Sequence, residues 1–361
     1  MATAATHIEN ISIAIALAPP PSVDNSFRQA LFLRDGITLN GANSVTYTSL
    51  DAVQADVAAG YADAIVEAAA TAYFANQDRP RGLVVGRYDS GSAETLADGL
   101  DRALLDGTNF YVVVVDTRVA AAQVAFAADI QSREASDQRF LYLAQSSDSD
   151  WLTAGVPAAY STMTQERAIV VFHDTDGVRC DAGWAARALN YDPSERSAPW
   201  DAPVRDVAAL AASVTSAQRA ACIANNANIG LAYGSEAFFI DPGVNVLGRA
   251  CYELVTADWV YLELRKRVAA VKTKRSLVGR KYPITAEGQA LTRSIVDGLI
   301  SDGVTAGHFV DGQYLYTDEP ITAADRAAQR LRFSFETQMQ GSARLFEFNV
   351  ELTRDPIFVQ E

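Results

Sequence analysis

The chain has 361 residues and a mass of 38.8 kDa, which is enough for about two domains with substantial cores. Hydrophobic residues make up 49% of it and charged residues 20%, which excludes a mostly disordered chain, and the net charge of −14 argues against nucleic acid as a partner. No apolar run approaches the roughly 18 residues of a membrane span, and the N-terminus lacks a signal-type block, so we expect neither membrane insertion nor secretion.

The first regular segment lies near the N-terminus, where apolar and small or polar residues alternate. The period of two predicts a β-strand with one apolar face, and Pro19 to Pro21 separate this strand from the next segment. The face consists of Ile11, Ile13, Ile15 and Leu17.

From residue 23 to about residue 145, predicted strands alternate with predicted helices. This rhythm is typical of a parallel or mixed α/β sheet, and a subdivision near 145–165 is possible. The strands are predicted at Gln29–Leu33, Val45–Tyr47, Gly82–Arg87, Phe110–Val115 and Arg139–Ala144. The helices are predicted at Leu50–Ala58, Ile65–Tyr73, Ser92–Leu105 and Val119–Ile130, with Ser49 and Ser92 as N-caps.

The pattern continues with a strand at Ala168–Phe172, a helix at Ala182–Leu189 and a loop over 190–203. Beyond it the sequence predicts a helix at Ser216–Asn225 and a β-rich stretch at Leu231–Ile240. Asp241, Pro242 and Gly243 then indicate a domain boundary.

After this boundary the sequence predicts two long helices and a second set of strands. One helix begins near Thr256 and carries an apolar stripe, and Thr285 caps the next. The stripe consists of Val260, Leu264, Val268 and Val271. Further strands are predicted at Gly312–Tyr316 and Leu331–Phe335, with a short helix at Thr322–Ala328 between them.

The last regular segment, Ala343–Arg354, alternates apolar and polar residues and predicts a second terminal strand. Its apolar face consists of Phe346, Phe348, Val350 and Leu352. Terminal segments fray unless a sheet holds them, so both terminal strands need partners. They can pair within their own chain or add to the sheet of a neighbouring subunit, which would give a filament or tube.

A search for catalytic patterns finds only isolated features. The apolar strand ending in Asp116 resembles a Walker B element, but no GxxxxGK[ST] or GxGxxG motif accompanies it. His173, Asp174 and Asp176 could begin a metal site, but the remaining ligands of a calcium loop are missing. Three histidines and no GxSxG motif give a nucleophilic triad few ways to form. We therefore predict no enzyme, no cofactor and no metal.

The strongest electrostatic signal is a basic run between residues 265 and 281 that contains no acid. It leaves the rest of the chain at −22, against −14 for the whole. Such a run indicates a docking surface for an acidic partner, although basic residues at a helix end also interact favourably with the helix dipole. The run consists of Arg265, Lys266, Arg267, Lys272, Lys274, Arg275, Arg280 and Lys281.

The layout of these segments resembles the tail sheath proteins of contractile-tailed bacteriophages and related tailocins. The resemblance rests on the arm before Pro19–Pro21, on Val45–Val53 and on the helix through Ala72–Asn76 that leads to Arg79–Arg87. At the other end it includes the basic run and the strand Arg344–Arg354. It spans most of the chain except roughly 145–245.

The resemblance implies a structural subunit that stacks as six-membered rings around an inner tail tube and contracts to drive the tube through the host envelope. Its partners would be itself, the tube protein, and baseplate and tail terminator proteins, in a virion tail assembled in the host cytoplasm. Ile11 to Leu17 and Phe346 to Leu352 would be strands donated to neighbouring subunits, and the basic run would face the tube.

The expected organisation is an N-terminal arm over 1–22, an outer α/β region over 23–245, an inner α+β domain over 246–340 and a C-terminal arm over 341–361. The alternative from another class is a cytosolic α/β enzyme or ligand-binding protein whose terminal strands pair internally.

Overall fold

The computed structural model describes residues 8–11, 27–76, 82–208, 210, 214–233, 236–317, 320–328, 331 and 333–341. Across these residues the strands are β1 Ile8–Ile11, β2 Ala30–Asp35, β3 Ser44–Tyr47, β4 Leu83–Tyr88, β5 Val112–Val115, β6 Leu141–Ser146, β7 Ala168–Phe172, β8 Ala202–Pro203, β9 Asn228–Tyr233, β10 Glu236–Asp241, β11 Phe309–Thr317 and β12 Ser334–Met339. The helices are α1 Leu50–Ala58, α2 Ala64–Ala75, α3 Leu96–Leu105, α4 Ala120–Arg133, α5 Cys180–Ala188, α6 Ser216–Ala224, α7 Cys251–Leu277, α8 Ala286–Ala306 and α9 Ala323–Ala327.

A nine-stranded sheet dominates the fold, in the order β3-β4-β2-β5-β6-β7-β9-β10-β8. The six strands from β4 to β9 are parallel, while β3 at one edge and β10 and β8 at the other are antiparallel. The predicted mixed α/β fold is therefore confirmed, and β6 and β7 continue the same sheet beyond residue 145.

Burial on both faces explains the composition of the central strands. Every residue of β5 and β7 is buried, as parallel strands covered by helices require. The helix pairs α3–α4 and α2–α5 pack on each other and against this sheet. This arrangement forms the larger of two cores.

Three predicted elements differ in detail from the structure. Ser92 ends a short 3-10 turn and does not cap α3, whose N-cap is Thr95 in a capping box with Asp98. The predicted stretch Leu231–Ile240 forms two antiparallel strands. The first long helix begins at Cys251, earlier than predicted, because apolar periodicity does not mark a first turn that packs in the larger core.

The two long helices α7 and α8 form a hairpin with a core of its own. Val260, Leu264 and Val268 of the predicted stripe are buried there, together with Val296 and Leu299 of α8. The change from the larger to the smaller core occurs within α7: its first turn belongs to the larger core, and the smaller core begins at Trp259.

A three-stranded antiparallel sheet in the order β1-β12-β11 joins this smaller core. Phe309 of β11 and Phe335 of β12 are buried in it. The N-terminal strand of the same chain thus pairs with β12, in the register Ile11 to Phe335 and Ile8 to Gln338.

Candidate functional site

The two predicted terminal strands fall mostly outside the described residues. Of the N-terminal face only Ile11 is described, as the last residue of β1, while Ile13, Ile15 and Leu17 lie outside. The whole C-terminal face, which comprises Phe346, Phe348, Val350 and Leu352, also lies outside. Their donation to neighbouring subunits stays a prediction.

The small sheet has two outer strands within the described part of the chain, β1 and β11, and the edge of β11 is the one whose side chains are described. β12 lies between β1 and β11, so β11 is an outer strand. The ladder between β11 and β12 shifts register between Phe309 and Tyr314, where Gly312 adopts a left-handed φ of 70°. Beyond this bulge the edge exposes large apolar groups, with Tyr314 at 46% and Leu315 at 61% exposure. An exposed, apolar edge strand is a template for strand addition.

The structure divides the predicted basic run into paired arginines and an exposed group, while Lys266 is exposed on α7 and has an interaction within the chain. Arg265, Arg267 and Arg275 form ion pairs within the chain. Arg265 reaches Asp137 at 3.1 Å, and Arg267 reaches Asp302 at 2.5 Å. Beyond this part, an exposed group lies at the end of α7 and in the turn after it, and it consists of Lys272, Lys274, Arg280 and Lys281.

The Asp116 that resembled a Walker B acid belongs to an internal ion-pair network. Its carboxylate pairs with Arg34 and accepts hydrogen bonds from the backbone N–H of Asp35 at 3.1 Å and the hydroxyl of Tyr88 at 2.9 Å. Arg34 also binds Asp63 at 2.8 Å. This network lies at the carboxyl ends of β2 and β5, where doubly wound sheets bind ligands. An open cleft of about 470 Å³ lies at the end of β2, where Arg34 and Asp63 line it, and Arg34 is already paired with two carboxylates.

The histidine considered as a metal ligand is structural. His173 is fully buried, its Nε2 lies 2.9 Å from the carbonyl oxygen of Ala208, and its Nδ1 accepts a hydrogen bond from Thr175. No cluster of three or more metal-ligating side chains occurs among the residues that the structure describes. None of the described helices is long and apolar enough to cross a membrane.

A buried charge network fastens the helical hairpin to the large sheet. Asp258 of α7 is 1% exposed and accepts two hydrogen bonds from Arg167, each of 2.8 Å. It accepts two more, from Arg139 at 2.9 Å and from the hydroxyl of Tyr111 at 2.8 Å. Burial alone would raise the pKa of Asp258, but the two arginines and the hydrogen bonds outweigh it and hold the pKa below its ordinary value. The Asp258 carboxylate is therefore a buried, charged contact that connects the two cores, and we refer to it as the buried joint.

Asp258 is not among the site residues predicted from the sequence. A signal was present, because Asp258 lies between Leu254 and Trp259 on the buried side of α7. An acid among apolar positions of a helix indicates a buried charge that needs partners. The identity of those partners, 91 residues away in the case of Arg167, could not be predicted from helical periodicity.

A second junction between the two cores is built around His308. Its Nε2 lies 2.6 Å from the carbonyl oxygen of Pro193, and its Nδ1 lies 2.7 Å from Oγ1 of Thr256. The ring stacks on Trp259 with a centroid distance of 4.7 Å. Because a carbonyl only accepts, the neutral ring donates from Nε2 and accepts the Thr256 hydroxyl at Nδ1.

This junction predicts a specific pH dependence of stability. Burial lowers the pKa of His308 below its ordinary value of 6.5, and the bond to Pro193 opposes this only in part. Below pH 6.5 the unfolded chain therefore binds more protons at this residue than the folded chain does, so the free energy of unfolding falls on acidification. Urea denaturation at about pH 7.5 and about pH 5.5 measures this dependence. Between these two pH values the free energy of unfolding should fall less for His308→Gln than for the unmodified chain. An equal fall in the free energy of unfolding for both proteins would contradict the assignment.

Comparison with solved structures finds the same fold over nearly the full length of this chain. A chain in the cryo-EM structure of the six-fold symmetrised anti-feeding prophage baseplate has a TM-score of 0.66 at 13% identity, covering 96% of this chain and 99% of that chain. The anti-feeding prophage helical sheath in its contracted state has a TM-score of 0.61 at 12% identity, covering 98% and 100%. The contracted PVC sheath complex of an extracellular contractile injection system has a TM-score of 0.60 at 11% identity, covering 98% and 99%.

The fold of this chain is thus the fold of contractile-sheath subunits. The resemblance predicted from the sequence is confirmed at the level of the fold. No protein-family model matches the sequence, and no curated protein is significantly similar to it. The structural similarity includes residues 145–245, the region that the resemblance predicted from the sequence did not cover.

Proposed function

We propose that this chain is a structural subunit of a contractile sheath, which polymerises around an inner tube and shortens to drive the tube through a cell envelope. The observation that carries the proposal is the shared fold over 98% of this chain and 100% of a contracted sheath subunit. If only the large sheet were shared with the sheath subunit, the hairpin domain and the small sheet of this chain would have no counterpart there. Here the match includes both the large sheet and the hairpin domain.

The proposed assembly uses the terminal arms as tethers between subunits. The N-terminal strand, from Ile11 to Leu17, and the C-terminal strand, from Phe346 to Leu352, would each add to the small sheet of a neighbouring copy. The open edge of β11 supports this, because it presents unpaired backbone groups beside exposed Tyr314 and Leu315. β1 pairs with β12 within one chain, and the same contact can be exchanged between copies at low cost.

We further propose stacked six-membered rings of this subunit, with the hairpin domain facing the tube and the outer α/β region facing away. Baseplate and tail terminator proteins would bind the two ends of the sheath. The assembly would belong to a virion tail, or a related injection system, built in the host cytoplasm. In this role the chain is not an enzyme and needs no cofactor.

Removal of residues 341–361 tests the tethers. We expect the truncated protein to stay as small species, while the full chain forms tubes or rings by negative-stain electron microscopy and sedimentation. Tubes of normal length from the truncated protein would refute the tethering role.

A matched pair of variants sharpens this test. Phe348→Ser with Val350→Ser removes half of the apolar face and should prevent assembly. Glu347→Ser with Glu351→Ser changes the other face of the same strand and should leave assembly intact, because only the apolar face is buried in a half-covered strand.

A further inference from the structure

The middle strand of the small sheet, β12, is paired on both of its edges within one chain. β11 pairs with it along one edge. β1 covers the other edge through its four residues, Ile8–Ile11, which lie opposite residues 335–338. A strand from another copy therefore cannot pair with β12 while β1 is in place.

β12 is held in position by the hairpin core. Phe335 is buried and belongs to the same cluster as Phe309 of β11 and Val296 of α8. Thr337, two residues further along the strand, is buried as well, so one face of β12 lies against this core. The backbone edge of β12 is therefore a preformed site for a strand, whether that strand comes from the same chain or from another copy.

β1 is short, and a long connection joins it to the rest of the chain. It has four residues, whereas β12 has six and β11 has nine. Short strands at the edge of a sheet open more readily than the strands inside it. Fifteen residues separate Ile11 from Phe27, which packs against both cores. β1 can therefore separate from β12 while both cores stay folded.

Pairing of β1 with its own chain and pairing with a neighbouring copy would use the same contacts, so exchange by itself changes the free energy little. The two states differ in concentration. A strand joined to its own sheet by a short connection acts at an effective concentration on the order of 1 mM, which exceeds that of free subunits at about 1 µM by roughly a thousandfold. In dilute solution each subunit therefore keeps its own β1. At the end of a growing assembly the neighbour's strand is also held close, and exchange becomes nearly neutral.

We infer that β1 is an autoinhibitory strand: in the free subunit it occupies the edge of β12 that the β1 of a neighbouring copy takes in the assembly. This inference rests on the proposed function. Release of β1 makes a subunit competent to join, and release is favoured only where a neighbour holds its own strand beside that edge. The edge of β11 is then left to the C-terminal strand.

A cysteine pair across β1 and β12 tests the closed state of the free subunit. Asn10 and Glu336 are direct partners in the antiparallel ladder, at a spacing that a disulfide can bridge. The three native cysteines are buried, so they should not compete. We call Asn10→Cys with Glu336→Cys the locked variant. Oxidation of its dilute, free form should abolish the tubes or rings seen by negative-stain electron microscopy, and dithiothreitol should restore them.

The matched control is Thr317→Cys with Ser334→Cys. It joins β11 to β12, two strands that need not separate, so it should assemble equally well when oxidised and when reduced. Oxidation of the locked variant after assembly gives a second measurement. The cross-links should then join different copies and appear as a ladder of multimers on a non-reducing gel. Cross-links confined to single chains would show that β1 stays with its own sheet, and would overturn the inference.

Binding of a peptide tests the same edge without assembly. A variant lacking residues 1–17 has no β1, so a labelled peptide of residues 5–17 should bind it in a fluorescence anisotropy titration. The full chain should bind this peptide at least about tenfold more weakly, because its own β1 occupies the edge. Equal affinity of the two proteins would contradict the closed state.

The control peptide carries Glu9→Pro and Asn10→Pro. Successive residues of a strand direct their N–H groups to opposite sides, so one of the two prolines removes a hydrogen bond to β12. This peptide should bind neither protein. Binding as tight as that of the unmodified peptide would show that no strand pairs with the edge of β12, which also overturns the inference.

The assembly experiments separate failure of this inference from failure of the proposed function. If the unmodified chain forms tubes and the oxidised locked variant forms them equally well, the inference is wrong and the sheath function stands. If the unmodified chain forms neither tubes nor rings, both are wrong, whatever the peptide binds.

Discussion

Replacement of Asp258 by alanine is expected to lower the free energy of unfolding by about 3–5 kcal/mol. The change leaves two arginines, Arg167 and Arg139, without the carboxylate that they share, and Arg167 is 4% exposed. Glu134 still pairs with both arginines, at 3.2 Å with Arg167 and 2.8 Å with Arg139. Arg167 nevertheless loses both of its hydrogen bonds to Asp258 at a buried site, so we expect a loss at the lower end of this range. Equilibrium denaturation in urea gives the measurement.

The control for this experiment is an ion pair on the surface of the same hairpin. Asp302 pairs with Arg267 at 2.5 Å but is 57% exposed, so Asp302→Ala should cost only about 0–1 kcal/mol. A double variant that also replaces Arg167 with methionine should recover part of the loss, because removing both charges costs less than stranding one. Equal effects of Asp258→Ala and Asp302→Ala would contradict the role of Asp258 as a buried joint.

Replacement of Phe309 by alanine is expected to cost about 3–5 kcal/mol, the usual range for deleting a buried aromatic side chain. Phe309 is 1% exposed and opens β11, opposite Met339 of β12. Its ring lies so close to Gly303 of α8 that a Cβ there would meet it at 2.4 Å, and its centroid is 6.3 Å from that of Trp259. One side chain thus attaches the small sheet to both helices of the hairpin, in a core that has few members to share the loss.

Leu315→Ala provides the reference for this prediction within the same strand. Leu315 is 61% exposed, so its truncation should change the stability of the isolated subunit by no more than about 0.5 kcal/mol. Thermal denaturation of both variants measures the contrast. If Phe309→Ala were as mild as Leu315→Ala, the small sheet would not depend on this contact. A loss of assembly by Leu315→Ala without loss of stability would instead support strand addition at the β11 edge.

Local sequence patterns were sufficient to predict most of the strands and helices. Runs such as Val112–Val115 and Ala168–Phe172 predict strands buried on both faces, and the stripe from Val260 to Val268 predicts the buried side of α7. These patterns depend only on the periods of strand and helix and on which side chains avoid water, so one sequence suffices to recognise them. Boundaries were less accurate where a side-chain cap, such as Thr95, decided the first turn.

The sequence by itself determined the mixed α/β class, the position of the basic run and the resemblance to sheath proteins. Only the tertiary structure decided how the positive charges are used. Arg265 pairs with Asp137 and Arg167 with Asp258. The lysines at the end of α7 and in the turn after it are exposed instead, and they pair with no carboxylate in the part of the chain that the structure describes. The physical reason is that a charge in a sequence has a sign but no environment. Its burial and its partners come from segments up to a hundred residues or more away, such as Asp137 and Arg265, that only the folded chain brings together.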